Sequence, residues 1–297
     1  MKLNDLQYFC YLCQVGSFTE AAKRFNVKQP TVTLAIKRLE KNLQTKLVSR
    51  DHSQNFLTVT PTGQILYEHA TQILNEVQLA TVEIGNFSSQ KIRFGLPPII
   101  GNLYLPLVAS ELADAGLLQN LVVDESGSEQ LTKDLLHGKI DLALLGSFAP
   151  INDDRLAATQ ITDRNFAIIS SNQHWLKDYS QISFTQLHDE KFISLDSTFI
   201  HRQVLEHYAH EDGFEPNVIF KTQSISILKR MVEQNAGIAL LVGDAVALGD
   251  HLKCTALTDS FAEKFTISVV TRKNYLLKKQ ERGLVGELLK IKEKLHK

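Results

Sequence analysis

Gln29, Thr33 and Lys37 recur every fourth residue, so on an α-helix an amide, a hydroxyl and an ammonium group stand one above another on a single face. That is hydrogen-bonding chemistry rather than covalent chemistry. Gln can pair bidentately with adenine, Thr can offer its hydroxyl or its methyl to thymine, and Lys can approach guanine or a phosphate. Thr31, Leu34 and Arg38 flank this face, and Val32, Ile36, Leu39 and Leu43 fall on the other side as a packing stripe. Other groupings offer less. Cys10 and Cys13 have the spacing of a metal or redox pair, but no second pair exists and both fall on a packing face, so they read as small buried hydrophobes. His207 and His210, near His201, Glu206 and Glu211, could clamp a metal, yet no convergent ligand set accompanies them and a solvated helix face accounts for them. There is no G-x-S-x-G, phosphate-binding loop, dinucleotide fingerprint or zinc-protease pair. No catalytic residue, cofactor or metal is therefore expected.

The elements that must position the Gln–Thr–Lys face are short. Asn4, with Gln7 three residues on, is read as the cap of a first helix whose buried stripe is Leu6, Phe9, Cys10 and Cys13 and which Gly16 ends. Ser17-Phe18-Thr19-Glu20 is a capping box that opens a second helix, with Ala21, Ala22 and Phe25 facing inward. Pro30 lies in the first turn of the third, where its missing N–H costs nothing. Two short helices joined tightly, the second presenting polar and basic side chains, are what a helix-turn-helix needs to enter a major groove. Residues 46–50 and 56–60 are β-prone runs that predict a hairpin around residues 51–55, with Arg50 at its base for a phosphate or the minor groove. Thr60-Pro61 then caps a long helix. Its Leu66, Ala70, Ile73, Val77, Ala80 and Ile84 step by 4, 3, 4, 3, 4, a heptad seam suited to pairing with a second copy, or else to packing on the chain's own C-terminal body.

Charge is divided along the chain in the same way. Residues 1–50 hold nine Lys and Arg against three acidic residues, a balance of +6, whereas residues 51–90 hold four acidic residues and no Lys or Arg. A basic head on a neutral-to-acidic body points to a polyanion as the head's partner. The chain of 297 residues is 43% hydrophobic and 22% charged, with no apolar run long enough for a membrane helix. Three cysteines cannot build a disulfide framework, and the N-terminal residues turn polar at once without the apolar core of a secretory signal, so a cytoplasmic location is expected.

From residue 91 onward strands and helices alternate. Strands are expected at 91–95, 121–123, 140–145, 166–170, 192–194, 218–222, 238–242 and 265–271, and helices at 103–112, 200–211, 225–234 and 280–297. Ser126-Gly127-Ser128-Glu129 is a capping box for a further helix that Gly138 closes. The order predicts an α/β fold with a parallel sheet and ligands beyond the carboxyl ends of its strands.

The stretch 6–40, with Gly16-Ser17-Phe18-Thr19-Glu20-Ala21-Ala22, Val27-Lys28-Gln29-Pro30-Thr31-Val32-Thr33 and Ile36-Lys37-Arg38-Leu39-Glu40, closely resembles the winged helix-turn-helix of LysR-type transcriptional regulators. Leu47, Arg50 and Leu57-Thr58-Val59-Thr60-Pro61-Thr62-Gly63 continue the match. Gly138-Lys139-Ile140-Asp141-Leu142-Ala143-Leu144 and Ala236-Gly237-Ile238-Ala239-Leu240-Leu241 are similar to the same family's effector domain. The resemblance implies a winged helix-turn-helix at 1–60 and a dimerising linker helix at 61–88. It also implies a two-lobed periplasmic-binding-protein-like α/β effector domain at 89–297, with lobe I about 89–162 and 267–297 and lobe II about 163–266. Within the family the head is similar to the regulators of malolactic fermentation, which implies a small organic acid as effector. The implied partners are double-stranded DNA, the small-molecule effector, a second copy through the linker helix, a homotetramer through the effector domains, and RNA polymerase.

By position, the DNA-contacting residues would be Ser17, Thr19, Lys28, Gln29, Pro30, Thr31, Thr33, Leu34, Lys37, Arg38 and Arg50. The effector would meet Pro98, Ile99 and Ile100 on a loop, Ser128 at a helix start, Gly146, Ser147 and Phe148 at a strand end, and Thr198, His201, Arg202 and Ser224 across the cleft. Ser128 suits a carboxylate, because free N–H groups at a helix start favour an anion; ordinary capping by Ser126 and Ser128 is the other reading. Five positions depart from the family pattern. Lys28 stands where a capping Ser is usual, Gln44 and Asn235 where Gly is usual, and Val48 where Phe is usual, while Val242 takes the place of a Pro. The competing class is a small-molecule-binding or enzymatic α/β protein whose basic head serves another role. A transport-type binder would carry an export signal, and the basic head favours the regulator.

Overall fold

The computed structural model describes residues 1–50, 57–246, 249–259 and 264–295, Arg50 in its backbone only; the expected hairpin turn at 51–55 lies outside them. Two compact units divide the chain, Met1–Phe87 and Ser88–Lys297. Among the described residues no helix is long and apolar enough to cross a membrane.

The first unit contains α1 (Leu3–Val15), α2 (Phe18–Arg24), α3 (Gln29–Leu43), the antiparallel pair β1 (Val48–Arg50) and β2 (Leu57–Val59), and α4 (Pro61–Asn86). Its core gathers Leu6, Phe9, Leu12, Ala21, Val32, Ile36, Leu39 and Leu47. The first helix starts two residues earlier than an Asn4 cap implies: Lys2 is the N-cap and makes no side-chain cap, so Asn4 lies inside the helix. Ser17 caps α2 by accepting the Glu20 N–H at 3.3 Å, and Thr60 caps α4 by accepting the Gly63 N–H at 3.0 Å. Leu43 is 42% exposed rather than packed, because the chain turns at Gln44. Gln44 holds φ +52° at the end of α3, a conformation that costs an L-residue about 1–2 kcal/mol and that Gly adopts freely. Asn235 holds φ +58° in the second unit, where Asn is the better tolerated substitute.

The seam of α4 does not stay whole. Leu66 and Ala70, with Tyr67 and Leu74, pack into the core formed by α1 and α3, so the helix already has a partner within its own unit. Ile73, Val77 and Ile84 remain 43%, 42% and 77% exposed, and only this distal part of the seam is open to another copy.

In the second unit, β3 (Ile92–Gly95), β4 (Leu121–Asp124), β5 (Leu142–Ser147), β6 (Leu156–Arg164) and β13 (Phe265–Arg272) form a five-stranded sheet in the order β4-β3-β5-β13-β6. The remaining strands are β7 (Phe166–Ser171), β8 (Gln181–Ile182), β9 (Lys191–Leu195), β10 (Asn217–Thr222), β11 (Ala239–Val242) and β12 (Leu252–Leu257). They form β11-β7-β12-β8 and β10-β9, joined through a Phe192–Ile238 bridge. Neither sheet is purely parallel. β3, β4 and β5 run parallel, but β13 returns antiparallel between β5 and β6, and β7 is antiparallel to both of its neighbours. The chain crosses between lobes at β6–β7 and again before β13, and those crossings supply the reversed strands.

Helices α5 (Pro98–Tyr104), α6 (Ala109–Asp114), α7 (Ser128–Leu136), α10 (Lys279–Leu289) and α11 (Ile291–Lys294) accompany the first sheet, and α8 (Ile200–Glu211) and α9 (Ile225–Glu233) the second. Side chains alternate along β5: Leu142 and Leu144 join the large core, Ala143 and Leu145 a smaller one under α7.

Candidate nucleic-acid interface and ligand cleft

The first candidate surface is the outer side of α3. Burial of Val32, Ala35, Ile36 and Leu39 fixes its rotation, which leaves Gln29, Thr31 and Lys37 exposed and Thr33 half-buried. Lys28 and Pro30 are exposed at its start, and Lys28, the N-cap, makes no side-chain cap. Thr33 donates its hydroxyl to the Gln29 carbonyl at 3.2 Å and so remains an acceptor that also presents its methyl. Leu34 is 56% exposed beside these polar groups, an apolar contact suited to a thymine methyl. On α2, Thr19 is exposed and Ser17 is occupied as the cap.

Arg38 carries a structural contact as well. Its Nε and Nη2 donate to the two oxygens of Asp5 at 3.2 and 2.5 Å, and Asp5 is only 2% exposed. The guanidinium therefore ties α3 to α1 and orients the presenting helix, while 47% of the side chain stays exposed. Cys10 and Cys13 are free thiols, and burial pushes both up, Cys13 to about 12. Neither is a nucleophile near neutrality.

The second candidate surface lies between the lobes of the second unit. Ser128 is the first residue of α7, and its Oγ accepts the Gly146 N–H at 3.0 Å, which pins the helix start to the end of β5. The expected capping box is absent: Gly127 is the N-cap, and the Ser126 hydroxyl donates to Asp124 at 3.2 Å instead. The reason is tertiary. A Cβ on Gly127 would lie 2.2 Å from the Thr198 carbonyl oxygen of the other lobe, so a hydrogen is all that fits. Gly146 is equally confined, with the Phe265 ring 2.4 Å from where its Cβ would stand.

Thr198 is held by Asp196, whose Oδ1 accepts from its N–H at 2.9 Å and its hydroxyl at 2.5 Å. Tyr104 adds a tie between lobes, donating to Asp244 Oδ2 at 3.0 Å, and Arg164 Nε lies 2.6 Å from the same oxygen. Two polar groups on the segments that carry these residues are buried with no hydrogen-bond partner among the described residues: the Ser147 hydroxyl at the end of β5, and Nη1 of Arg202 in the first turn of α8. The other arm of Arg202 pairs with Glu206 at 2.5 Å. A cavity of about 180 Å³ opens alongside, lined by Phe148, Gln203, Val204 and His207.

Several expected wall residues lie elsewhere. Pro98, Ile99 and Ile100 are the first turn of α5 rather than a loop, because Pro98 fits a helix start, and Ile99 and Ile100 are buried in the core at 2% and 0% exposure. His201 is 3% exposed, with its ring centroid 5.6 Å from that of Phe166 and 5.1 Å from that of Phe265. Burial pushes it down to about 3, so it is neutral near pH 7 and supplies no charge to a ligand. Ser224 caps α9 by accepting the Ile227 N–H at 3.3 Å. Among the described residues no group of three or more His, Cys, Asp or Glu could hold a metal. Gln203 and Val204 were not expected at the cavity; Gln203 and His207, four apart on α8, were the available signal.

Comparison with known proteins bears on both surfaces. Residues 3–64 match the family described as bacterial regulatory helix-turn-helix protein, lysR family, and residues 85–290 match the LysR substrate binding domain. The chain is 31% identical over 293 residues to the malolactic fermentation system transcriptional activator of Lactococcus lactis subsp. lactis (strain IL1403), covering 98% of each chain. It is 26% identical over 244 residues to a hydrogen peroxide-inducible genes activator of Haemophilus influenzae, covering 81% of this chain and 80% of that one. Among solved structures, the LysR family transcriptional regulator HinK from Pseudomonas aeruginosa superposes with a TM-score of 0.56 at 23% identity over 99% of each chain. The effector binding domain of QuiR in complex with shikimate gives 0.60 at 16% identity, covering 69% of this chain and 97% of that one.

Proposed function

The chain belongs to the LysR family of transcriptional regulators, DNA-binding proteins rather than enzymes with a separate effector-binding domain, and from that membership we propose that a small organic acid anion, bound between the two lobes, controls it. The observation that carries this reading is the pair of buried, unpartnered groups, the Ser147 hydroxyl and Nη1 of Arg202. Each loses water without gaining a partner, a cost that an anionic oxygen would relieve. The start of α7 at Ser128 adds further N–H groups and the favourable end of a helix dipole. The named activity of the Lactococcus relative, malolactic fermentation, supports an acid as the effector class.

On the DNA side, Gln29, Thr33 and Lys37 read base edges in the major groove with Leu34 beside them, while Lys28, Thr31 and Arg50 contact the backbone and Arg38 orients the helix. Two chains pair through the open distal seam of α4, Ile73, Val77, Ala80 and Ile84, which places two reading helices in successive grooves. Effector domains then join dimers into tetramers, and exposed Val122 and Val123 on β4 with Ile219 and Phe220 on β10 offer apolar edges for that contact. The acid acts by binding two arrangements of the lobes with different affinity, since only differential affinity shifts an equilibrium.

The test is a binding titration on the chain's own upstream DNA and on random duplex, at two salt concentrations, with and without a panel of small mono- and dicarboxylates. The proposal expects preference for the upstream fragment, altered by at least one acid, and loss of that acid's effect in Arg202→Met. Gln29→Ala and Thr33→Ala should reduce discrimination, whereas Arg50→Ala should weaken all DNA alike and reduce the salt slope by about 1. If both α3 variants bind the two DNAs as the parent does, the assigned reading face is wrong. If no acid alters binding, the assigned effector class is wrong.

A further inference from the structure

Behind the cleft, at the other end of α7, the second unit buries a cluster of charges that neither proposed site uses. Arg93 on β3 grips Asp141 with Nε at 3.1 Å and Nη2 at 2.5 Å, and its Nη1 donates to the Gly138 carbonyl at 2.7 Å. Arg272 on β13 donates through Nη1 to the carbonyls of Leu135 and Ile140, both at 2.8 Å, so it closes the C-terminal turn of α7. The guanidinium carbon of Arg272 lies 4.4 Å from the centre of the Tyr275 ring. The Tyr275 hydroxyl stands 3.2 Å from Asp141 and 2.9 Å from Glu281, and it can donate to either. Glu281, fully buried, pairs with Lys278 Nζ at 2.9 Å. The same ammonium donates to the carbonyls of Ser89 and Lys91, at 3.4 and 3.3 Å, where the chain enters the second unit after Phe87.

Buried ion pairs are expensive, and apolar side chains of the same volume would often serve stability as well. What this arrangement provides instead is a hydrogen-bonded connection with fixed geometry. The start of α7 is pinned to the cleft by the Ser128–Gly146 bond, its last turn is held by Arg272, and the cluster ends on the backbone at Ser89 and Lys91. The helix spans about 13 Å, so a tilt at its N-terminus must be taken up by the groups at its C-terminus.

We propose that the Arg93–Asp141–Tyr275–Glu281–Lys278 cluster couples the position of α7 at the cleft to the backbone at Ser89–Lys91, making Lys278 and Tyr275 positioning residues for signal transfer from the effector domain to the linker. The proposal rests on the reading of the cleft as an effector site, but its test needs neither ligand nor DNA. Amide hydrogen exchange of residues 86–91 is measured in the full-length chain for the parent, Ser128→Ala, Lys278→Met and the double variant. Ser128→Ala removes the pin at the cleft end and should change exchange at 86–91 by about threefold or more in the parent and not at all in the Lys278→Met background. Lys278→Arg, which keeps a donor in reach of the two carbonyls, should restore the response. A merely structural role for Lys278 gives factors that multiply independently, and that result, or a Ser128→Ala variant with unchanged exchange at 86–91, overturns the proposal. Should Lys278→Met fail to fold, Tyr275→Phe breaks the cluster at its centre and is judged by the same criterion. Loss of acid response in the DNA titration together with an intact exchange cycle would sink the effector reading and leave this coupling standing.

Discussion

Gly127 offers the sharpest test of how the lobes meet. It is the N-cap of α7, with φ −65° and ψ 153°, a conformation open to any residue, so backbone strain does not require glycine there. What requires it is Thr198: a Cβ would lie 2.2 Å from that residue's carbonyl oxygen and 2.8 Å from its carbonyl carbon, whereas ordinary contact begins near 3.4 Å. Gly127→Ala must therefore displace backbone by roughly 1.2 Å, the difference between the ordinary and the built distance to the oxygen. Neither side yields easily, since Thr198 is held twice by Asp196 and α7 is held by Ser128. Overpacking of this kind typically costs about 1–3 kcal/mol, and because the clash lies across the cleft the displacement should open the lobes. Urea unfolding should show that loss, and the acid-dependent change in DNA binding should shrink while binding without acid persists. The matched control is Gly286→Ala on α10, where nothing lies within 4 Å of the new Cβ; that change should stabilise by about 0.5–1 kcal/mol through helix propensity. A Gly127→Ala protein with parental urea midpoint and parental acid response would refute the argument that this contact sets the spacing of the lobes.

Three further outcomes follow from the same geometry. His201 is neutral when folded down to about pH 3 but takes up a proton below its ordinary 6.5 when unfolded, so folding loses stability as pH falls from 6.5 toward 3; between pH 7.5 and 5.0 the loss is about 2 kcal/mol. Urea midpoints at the two values should differ accordingly in the parent and by clearly less in His201→Phe. Gln44→Gly relieves the positive φ at the end of α3 and should raise the stability of the first unit by about 1 kcal/mol, read by thermal unfolding of residues 1–87. Arg38→Ala strands the buried Asp5 carboxylate, so it should lower the melting temperature and weaken binding to every DNA, while Asp5→Asn with Arg38→Gln should recover stability before affinity.

The amino-acid sequence alone determined the organisation of the head. Periodicity at 29–43, the capping Ser17 and Thr60, Pro30 in a first turn and the +6 charge balance are local signals, and local hydrogen bonding and burial made them true in the fold. It also placed α8 at Ile200–Glu211 to the residue, because an amphipathic pattern with a polar outer face leaves little choice. Tertiary structure decided the rest. β6, with only Leu156 and Ile161 buried among nine residues, shows neither strand nor helix period, since it is the edge of its sheet. The mixed strand directions follow from two crossings between lobes that no local pattern encodes. Arg38 pairs with Asp5 while staying half exposed, His201 is buried against the Phe166 and Phe265 rings, and α7 is capped by Gly127 rather than Ser126. In each of these cases the deciding neighbour is far away in sequence, 33 residues for Arg38, so the side chain's own type and spacing could mark it as important without saying for what. Propensity and periodicity are set within one or two turns of chain; the partner that fixes a side chain's role is set by long-range packing.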